Sequence, residues 1–391
     1  MRKVKLKDVI AKPLSGVWGE DDTTGDGIPV LRTTNFTNEG VILYNNVVTR
    51  IIRDKNLQNK YLRYGDILIE KSGGSDKQPV GRVVYFEGED NKYLFNNFTS
   101  ILRVKDPDGC NQKYLFYFLY SNYLFGGTRK YENKTTGIHN LKLDRYVDEL
   151  EIILPSLEEQ KTIADKLDKV TALIAKRKEQ LAKLDQLVKS RFIEMFGGYD
   201  LAHPKADWKT IAEIGKVVGG STPKTNVNEY WDGEYRWITP AELEADSGYI
   251  YDSVRKLTKA GVESCSLQEM PIHTVILTSR APIGKVAIAG ATFYCNQGFK
   301  NIICKDEIVP RYLYTLLLLN TEYLNSLGRG ATFKEISKSI VENIRIPVPS
   351  LENQTQFTTL VEQIDKSKLA IQQSLEQLET LKKSLMQKYF G

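Results

Sequence analysis

The chain has 391 residues, 41% hydrophobic and 26% charged, with a formal net charge of +5. This leaves room for two folded domains with real cores, and the mild positive charge gives only a weak pointer to anionic partners. The four cysteines form no C-x-x-C pair and none of the three histidines sits near one, which argues against a zinc site or a disulfide framework and fits free thiols in a reducing compartment.

The opening Met1-Arg2-Lys3-Val4-Lys5-Leu6 lacks the apolar run of a signal peptide. The longest apolar stretch, around Leu313 to Leu319, is too short to cross a bilayer. The expected location is the cytoplasm, with no membrane contact.

Residues 1–154 are rich in strand and turn signals and form the first predicted domain. Its landmarks are Leu31-Arg32-Thr33-Thr34-Asn35-Phe36, Gly65-Asp66-Ile67-Leu68-Ile69-Glu70-Lys71-Ser72, Pro79-Val80-Gly81-Arg82-Val83, Asn96-Asn97-Phe98 and the apolar helix opening at Tyr114-Leu115-Phe116-Tyr117. A long helix follows over 155–198. Its seam is Ile163, Leu167, Val170, Ile174, Arg177, Leu181, Leu184 and Val188, in alternating steps of 4 and 3, with polar residues between. Pro155 ends the preceding strand, Ser156 suits the N-cap, Glu158-Glu159 suit the first turn, and Gly197-Gly198 suit the stop.

The plan then repeats. Residues 199–348 form a second domain with matching landmarks: Trp237-Ile238-Thr239-Pro240-Ala241, His273-Thr274-Val275-Ile276-Leu277-Thr278-Ser279-Arg280, Pro282-Ile283-Gly284-Lys285-Val286, Asn296-Gln297-Gly298-Phe299 and Tyr312-Leu313-Tyr314. A second helix over 349–391 carries the seam Phe357, Val361, Ile364, Lys368, Ile371, Leu375, Leu378, Lys382, Leu385 and Tyr389. Pro155-Ser156-Leu157-Glu158, Gln160 and Phe196-Gly197 recur as Pro349-Ser350-Leu351-Glu352, Gln354 and Phe390-Gly391 at a constant offset of 194. Such internal repetition sets the fold before any finer reading.

Each helix is near 36 residues, or about 54 Å at 1.5 Å per residue. One small domain cannot cover that length, but two such helices can cover each other. Parallel pairing would crowd both domains at one end, so antiparallel pairing is expected, with a pseudo-two-fold axis. The first helix then runs into the second domain, and the C-terminus lies against the first. The predicted class is α+β: two similar mixed α/β domains separated by two long antiparallel coiled-coil helices.

No catalytic constellation emerges. Pro282-Ile283-Gly284-Lys285-Val286 fails as a phosphate loop, because position 279 is Ser and Val follows the lysine. No glycine-rich cofactor loop opens a helix, His139, His203 and His273 stand alone, and no carboxylates cluster as a metal nuclease needs. These absences point to a binding protein. Two further readings stay open: a protein-binding scaffold without DNA readout, and an enzyme with an unrecognised site.

Two degenerate domains, each followed by a P-S-L-E-x-Q helix, resemble the specificity subunit of type I restriction-modification systems. The resemblance spans the whole chain. Its carriers are Leu154-Pro155-Ser156-Leu157-Glu158-Glu159-Gln160, Val348-Pro349-Ser350-Leu351-Glu352-Asn353-Gln354, the Gly65-Asp66-Ile67-Leu68 strand, Pro282-Ile283-Gly284-Lys285-Val286, Gly220-Ser221-Thr222-Pro223-Lys224, Tyr230-Trp231 and Trp237-Ile238-Thr239-Pro240. Ala241-Glu242 departs from the family pattern, where a smaller acidic residue is expected after the Thr-Pro turn.

The resemblance implies a non-catalytic recognition subunit. Each domain would read one half of a bipartite double-stranded DNA target. The helices would act as a ruler and dock two methyltransferase subunits, and added motor-nuclease subunits would complete the restriction complex. S-adenosylmethionine, ATP and magnesium would belong to those partners, with no cofactor on this chain. A rod of about 54 Å matches about 15 base pairs at 3.4 Å each.

Candidate DNA contacts follow from side-chain chemistry. In the first domain, Arg32, Thr33, Thr34 and Asn35 sit on a strand-to-loop turn, where Arg and Asn can read base edges. Lys71, Ser72 and Lys77 mark a flexible basic loop, and Arg129, Lys130 and Lys134 a polar run suited to phosphates. The second-domain candidates are Thr222, Lys224, Thr239, Ser279, Arg280, Lys285, Asn296, Gln297, Lys300, Arg329, Thr332 and Lys334. Arg280 and Arg329 stand out, because the shared plan places them on loops at positions comparable to Lys71 and the first domain's basic run.

Overall fold

The computed structural model describes residues 2–54, 57–135, 138–197, 200–244, 246–330 and 334–391, with the backbone alone at Arg2, Lys134, Thr135, Asp246 and Ser247. The chain divides into two compact units, Met1–Lys178 with Gln373–Gly391, and Glu179–Gln372. These limits differ from the sequence-based ones, because each long helix contributes one half to each unit. Four helices matter below: α1 (Gln112–Leu124), α2 (Leu157–Phe196), α3 (Pro310–Leu319) and α4 (Leu351–Phe390).

In the first unit, strands Leu14–Ser15, Thr99–Leu102, Ile67–Glu70 and Val83–Tyr85 lie side by side in that order. The run Ile67-Leu68-Ile69 is buried on both faces. Ile67 and Ile69 join a core with α1, Leu167 and Met386. Leu68 joins a second core with Leu31, Phe36 and Phe95. A strand covered on both sides reads as a continuous apolar run rather than an alternation. Helix α1 is buried all round from Tyr114 to Ser121, which explains its lack of a polar face.

The second unit repeats the arrangement. Strands Gly215–Gly219, Lys300–Cys304, Val275–Leu277, Val286–Ala289 and Asp246–Ile250 form its sheet. Val275 and Leu277 face a core with α3, Phe192 and Phe357, while Ile276 faces Phe293 and Phe299.

Both long helices are 40 residues, four longer than the spacing alone predicts. Ser156 and Ser350 cap them as expected, accepting from the N–H groups of Glu159 at 3.2 Å and Asn353 at 3.3 Å. Gly197 ends α2 at φ +81°, the left-handed position that favours glycine; Gly198 lies outside the described residues. The pairing is antiparallel within each unit. In the first, Lys178 meets Glu379 at 3.5 Å while Leu167 packs with Met386. In the second, Lys368 reaches Asp185 at 2.5 Å and Phe192 meets Phe357 at 5.3 Å between ring centroids. The seam is buried at Ile163, Leu167, Val170, Ile174, Phe357, Val361 and Ile364. Leu181, Leu184, Val188, Ile371, Leu375, Leu378 and Leu385 are half-buried. Its two lysines are accommodated differently: Lys368 pairs with Asp185, and Lys382 lies 5.1 Å from the Tyr120 ring centroid.

The recurring Gln of the P-S-L-E-x-Q motif has a specific task. Gln160 Oε1 accepts from the Asn111 N–H at 2.8 Å, and its Nε2 donates to Pro155 O at 3.0 Å. Gln354 Oε1 accepts from the Val309 N–H at 2.8 Å, and its Nε2 donates to Pro349 O at 2.9 Å. Each glutamine thus ties the start of a long helix to the N-cap of the buried helix, α1 or α3. Tyr114 and Tyr312 add a second tie, donating to Ile153 O at 2.7 Å and Pro347 O at 3.1 Å. The far helix ends close both units as expected. Phe390 packs on Tyr114 at 5.3 Å, and Phe196 on Tyr312 at 5.0 Å. Among the described residues no helix is long and apolar enough to cross a membrane.

Candidate nucleic-acid interface

Both units carry the same short turn after an equivalent strand. In the first, Asn35 closes the 3-10 turn Thr33–Asn35: its Oδ1 accepts the Arg32 N–H at 2.9 Å. Its Nδ2 donates to Leu43 O and Asn46 O, both at 3.1 Å. In the second, Glu242 does this for Pro240–Glu242, accepting from the Thr239 N–H at 2.8 Å. The departure noted at Ala241-Glu242 is thus the acid that closes a capping box. One basic side chain clamps each turn. Arg82 donates to Thr33 O and Phe36 O, both at 2.9 Å, and Lys285 Nζ donates to Leu243 O. Arg82 is also paired with buried Glu70 at 3.4 Å. Burial raises the Glu70 carboxyl pKa, and Arg82 partly offsets this.

These bonds correct two sequence expectations. Asn35 is buried with its amide committed to the turn, and Lys285 matches Arg82 as a clamp. Both side chains hold the turn instead of presenting polar groups outward. Arg32 is half-buried, with Nη2 donating to Asn46 O at 3.2 Å; Thr33 is half-buried and Thr34 exposed. Thr239 is half-buried, its hydroxyl donating to Glu242 at 3.0 Å.

Beside each turn lies a tip built on the end of the central strand. In the first unit the N–H groups of Lys71 and Ser72 donate to Phe98 O at 2.7 and 3.3 Å. Lys71 Nζ reaches Ser15 Oγ at 2.9 Å, and burial lowers its pKa. Ser72–Gly74 pairs with Ile138–Leu141, placing Ser72 opposite Asn140. Phe98 is 51% exposed among these polar groups. Lys77 is exposed.

In the second unit the Ser279 N–H donates to Gly298 O at 2.8 Å, so Ser279 matches Lys71 and Gly298 matches Phe98. Asn296 Oδ1 braces this loop, accepting from the Gly298 N–H at 2.9 Å. Gln297 takes the Thr222 hydroxyl at 2.6 Å. Two indoles hold the neighbouring loop: Trp237 Nε1 donates to Ser221 O at 3.1 Å and Trp231 Nε1 to Lys224 O at 3.2 Å. The Lys224 side chain is exposed. Arg280 Nε donates to Glu335 at 2.9 Å, and Lys300 Nζ donates to Glu335 at 3.2 Å and to the buried Ser279 hydroxyl at 3.3 Å. Partial burial pulls the Glu335 carboxyl upward, but the bonds from Arg280 and Lys300 leave it below the usual range.

Other candidates lie elsewhere or at the margin. Lys130 lines a 310 Å³ cleft with Lys3, Tyr389 and Phe390, a set containing none of the tip residues. Arg129 is exposed on the same short turn. Arg329 pairs through its backbone with Glu335 at 3.0 and 3.1 Å, and Lys334 is exposed. Lys134 is in strand Glu132–Thr135, and Thr332 lies outside the described residues. Sequence reasoning missed Phe98 and Glu335 as tip residues. Phe98 was legible as the place where the two repeats diverge, phenylalanine in one and glycine in the other; Glu335 carried no signal.

No His, Cys, Asp and Glu group among the described residues could hold a metal ion. The four thiols are free, and burial pushes that of Cys295 up to about 12. What recurs is a braced strand end with a polar, partly basic tip, built twice on one plan. That defines a protein with two recognition heads.

The comparisons with known proteins name the family. Residues 1–186 and 205–380 both match the type I restriction modification DNA specificity domain, so the chain belongs to that family. It is 45% identical over 185 residues to the type I restriction enzyme MjaIX specificity subunit of Methanocaldococcus jannaschii, covering 46% of this chain and 43% of that one. The match thus spans less than half the length of that relative. A putative MjaX specificity subunit from the same organism is 24% identical, over 98% of this chain and 91% of its own. The type I restriction-modification S subunit from M. genitalium shares the fold, with TM-score 0.61 and 16% identity over 100% of this chain and 96% of that one. Both of its domains therefore place the chain in the type I specificity family.

Proposed function

We propose that each domain reads one half of a bipartite double-stranded DNA target through its tip, while α2 and α4 fix the spacer and dock two methyltransferase subunits. Restriction motor-nuclease subunits then join the complex. S-adenosylmethionine, ATP and magnesium bind to those partners, and this chain supplies sequence choice.

One observation carries this reading. The bonds that brace each unit's frame recur in both units, through Gln160 and Gln354, Tyr114 and Tyr312, and Arg82 and Lys285. The tips themselves differ, with Lys71, Ser72 and Phe98 in one and Ser279, Arg280 and Gly298 in the other. Equal scaffolds with unequal tips are what two readers of different sequences need. Base edges distinguish such tips, while phosphates only position them.

Methylome sequencing of a host expressing the chain with its methyltransferase partner tests this. The expected product is one motif of two short specified parts around an unread gap. A continuous motif, or methylation without sequence preference, contradicts it. Removing two heptads from both α2 and α4 is expected to shorten the gap or abolish binding, and an unchanged gap at full affinity removes the ruler role. Purified chain that assembles with protein partners but shows no salt-dependent DNA retention would favour a scaffold.

A further inference from the structure

We propose that Glu335 is a positioning residue that presents Arg280 to a guanine in the half-site read by the second domain. The inference rests on the DNA reading above and adds the base and the device that selects it.

The geometry is specific. Arg280 Nε donates to one oxygen of Glu335 at 2.9 Å, and Lys300 Nζ donates to the other at 3.2 Å. The backbones of Arg280 and Glu335 form a bridge, so the acid is fixed relative to the arginine from two directions. Lys300, itself only 13% exposed, is held in turn by Ser279. Engaging Nε leaves the two terminal guanidinium nitrogens, and they have no hydrogen-bond partner among the described residues. The Arg280 side chain is 46% exposed. Those nitrogens are a ready pair of parallel donors, matched to the O6 and N7 acceptors of guanine.

A phosphate would also accept such a fork. The acid decides between them. Glu335 is 35% exposed beside the fork, and a phosphate there would meet a carboxylate held in its charged form. A G·C edge avoids that conflict, because cytosine offers an amino donor that a carboxylate accepts. The first unit puts Ser72 opposite Asn140 at the matching place, with no charged pair. The device therefore belongs to one head and one half-site.

The test uses the complex of this chain with its methyltransferase subunits. Four duplexes are compared: the methylome-defined target, two versions of it with 7-deazaguanine in one half or the other, and a scrambled sequence. The complex is expected to bind the modified duplex about tenfold more weakly when the substituted half is the one read by the second domain, as befits loss of one bidentate base contact. Glu335→Ala is expected to erase that difference while binding the scrambled duplex more tightly, since a negative charge has gone. Glu335→Gln, which keeps an acceptor oxygen, is expected to restore part of the guanine preference. Arg280→Lys, which keeps the charge but not the fork, should lose it. If Glu335→Ala still discriminates 7-deazaguanine like the parent, or weakens all four duplexes equally, the positioning role is overturned. A parent complex that prefers its target over scrambled DNA yet ignores 7-deazaguanine in both halves overturns the guanine assignment alone. A parent without any target preference overturns the broader reading.

Discussion

The two heads share a frame and differ at the rim. In the first unit the strand end carries Lys71 and Ser72, with half-exposed Phe98 beside them. In the second the same places hold Ser279, Arg280 and Gly298, and an ionic clasp of Arg280, Lys300 and Glu335 takes over. The exchange is sterically enforced: a Cβ on Gly298 would come within 2.8 Å of the Pro240 ring, so that head has no room for a counterpart of Phe98. The lesson is that the tips vary where backbone bonds alone define position, while each bracing side chain keeps its role, identically at Gln160 and Gln354 and by substitution at Arg82 and Lys285.

The turn clamps offer the largest effect by which to break this comparison. Arg82→Ala leaves Glu70 buried without its partner and is expected to destabilise the first unit by about 3–5 kcal/mol near neutral pH. Lys285→Ala breaks one bond to a carbonyl and is expected to cost about 1 kcal/mol. The pH dependence has a definite sign. Glu70 titrates higher in the folded state than unfolded, and removing Arg82 raises it further. The folded variant then takes up a proton first as pH falls, so its deficit narrows in acid and widens toward neutral. Denaturant titrations at two pH values check this, and equal losses at 82 and 285 would break the unequal-clamp picture.

Next come the helix ends. Phe196 is buried against Tyr312, Phe192 and Phe357, and Phe196→Ala is expected to cost about 3 kcal/mol. Phe390 is half-buried at the matching place, and Phe390→Ala is expected to cost roughly half as much. The glutamine ties sharpen the comparison from the other side. Gln160→Ala and Gln354→Ala each strip the same backbone groups of partners and are expected to cost about 2 kcal/mol apiece. Thermal melts that differ widely between these two variants would show that the frames are less alike than their bonds.

The smallest effects are at the rim. Phe98→Ala is expected to leave stability unchanged and weaken binding of one half-site about tenfold, as loss of an apolar base contact would. Glu335 titrates below the ordinary carboxylate range when folded, so the clasp's contribution is present above the unfolded pKa and fades as pH falls through the lower folded value. Target binding should therefore not change with pH near neutrality through titration of Glu335, which stays charged there.

The sequence made the frame legible because the frame is repeated. The offset of 194 exposed both long helices, the serine caps and the phenylalanine ends. Antiparallel pairing followed from helix length and crowding. The task of Gln160 and Gln354 was not legible, although both residues were: a match along the chain does not reveal a bond to Asn111 or Val309. The rim was least legible. Asn35 has the chemistry of a base reader, yet the nearby carbonyls of Leu43 and Asn46 use its amide. Lys285 looked free because its acceptor, Leu243 O, is 42 residues away. Glu335 lies 55 residues from Arg280, and only the folded backbone brings them together.

The most direct test of the central claim is to alter one rim at a time and sequence the methylomes of hosts carrying the parent chain, Phe98→Ala or Arg280→Ala with the methyltransferase partner. Each variant is predicted to blur a different half of the motif while its other half and the gap stay as in the parent. If both variants blur the same half, or either blurs the whole motif, the assignment of one reader to each domain is contradicted.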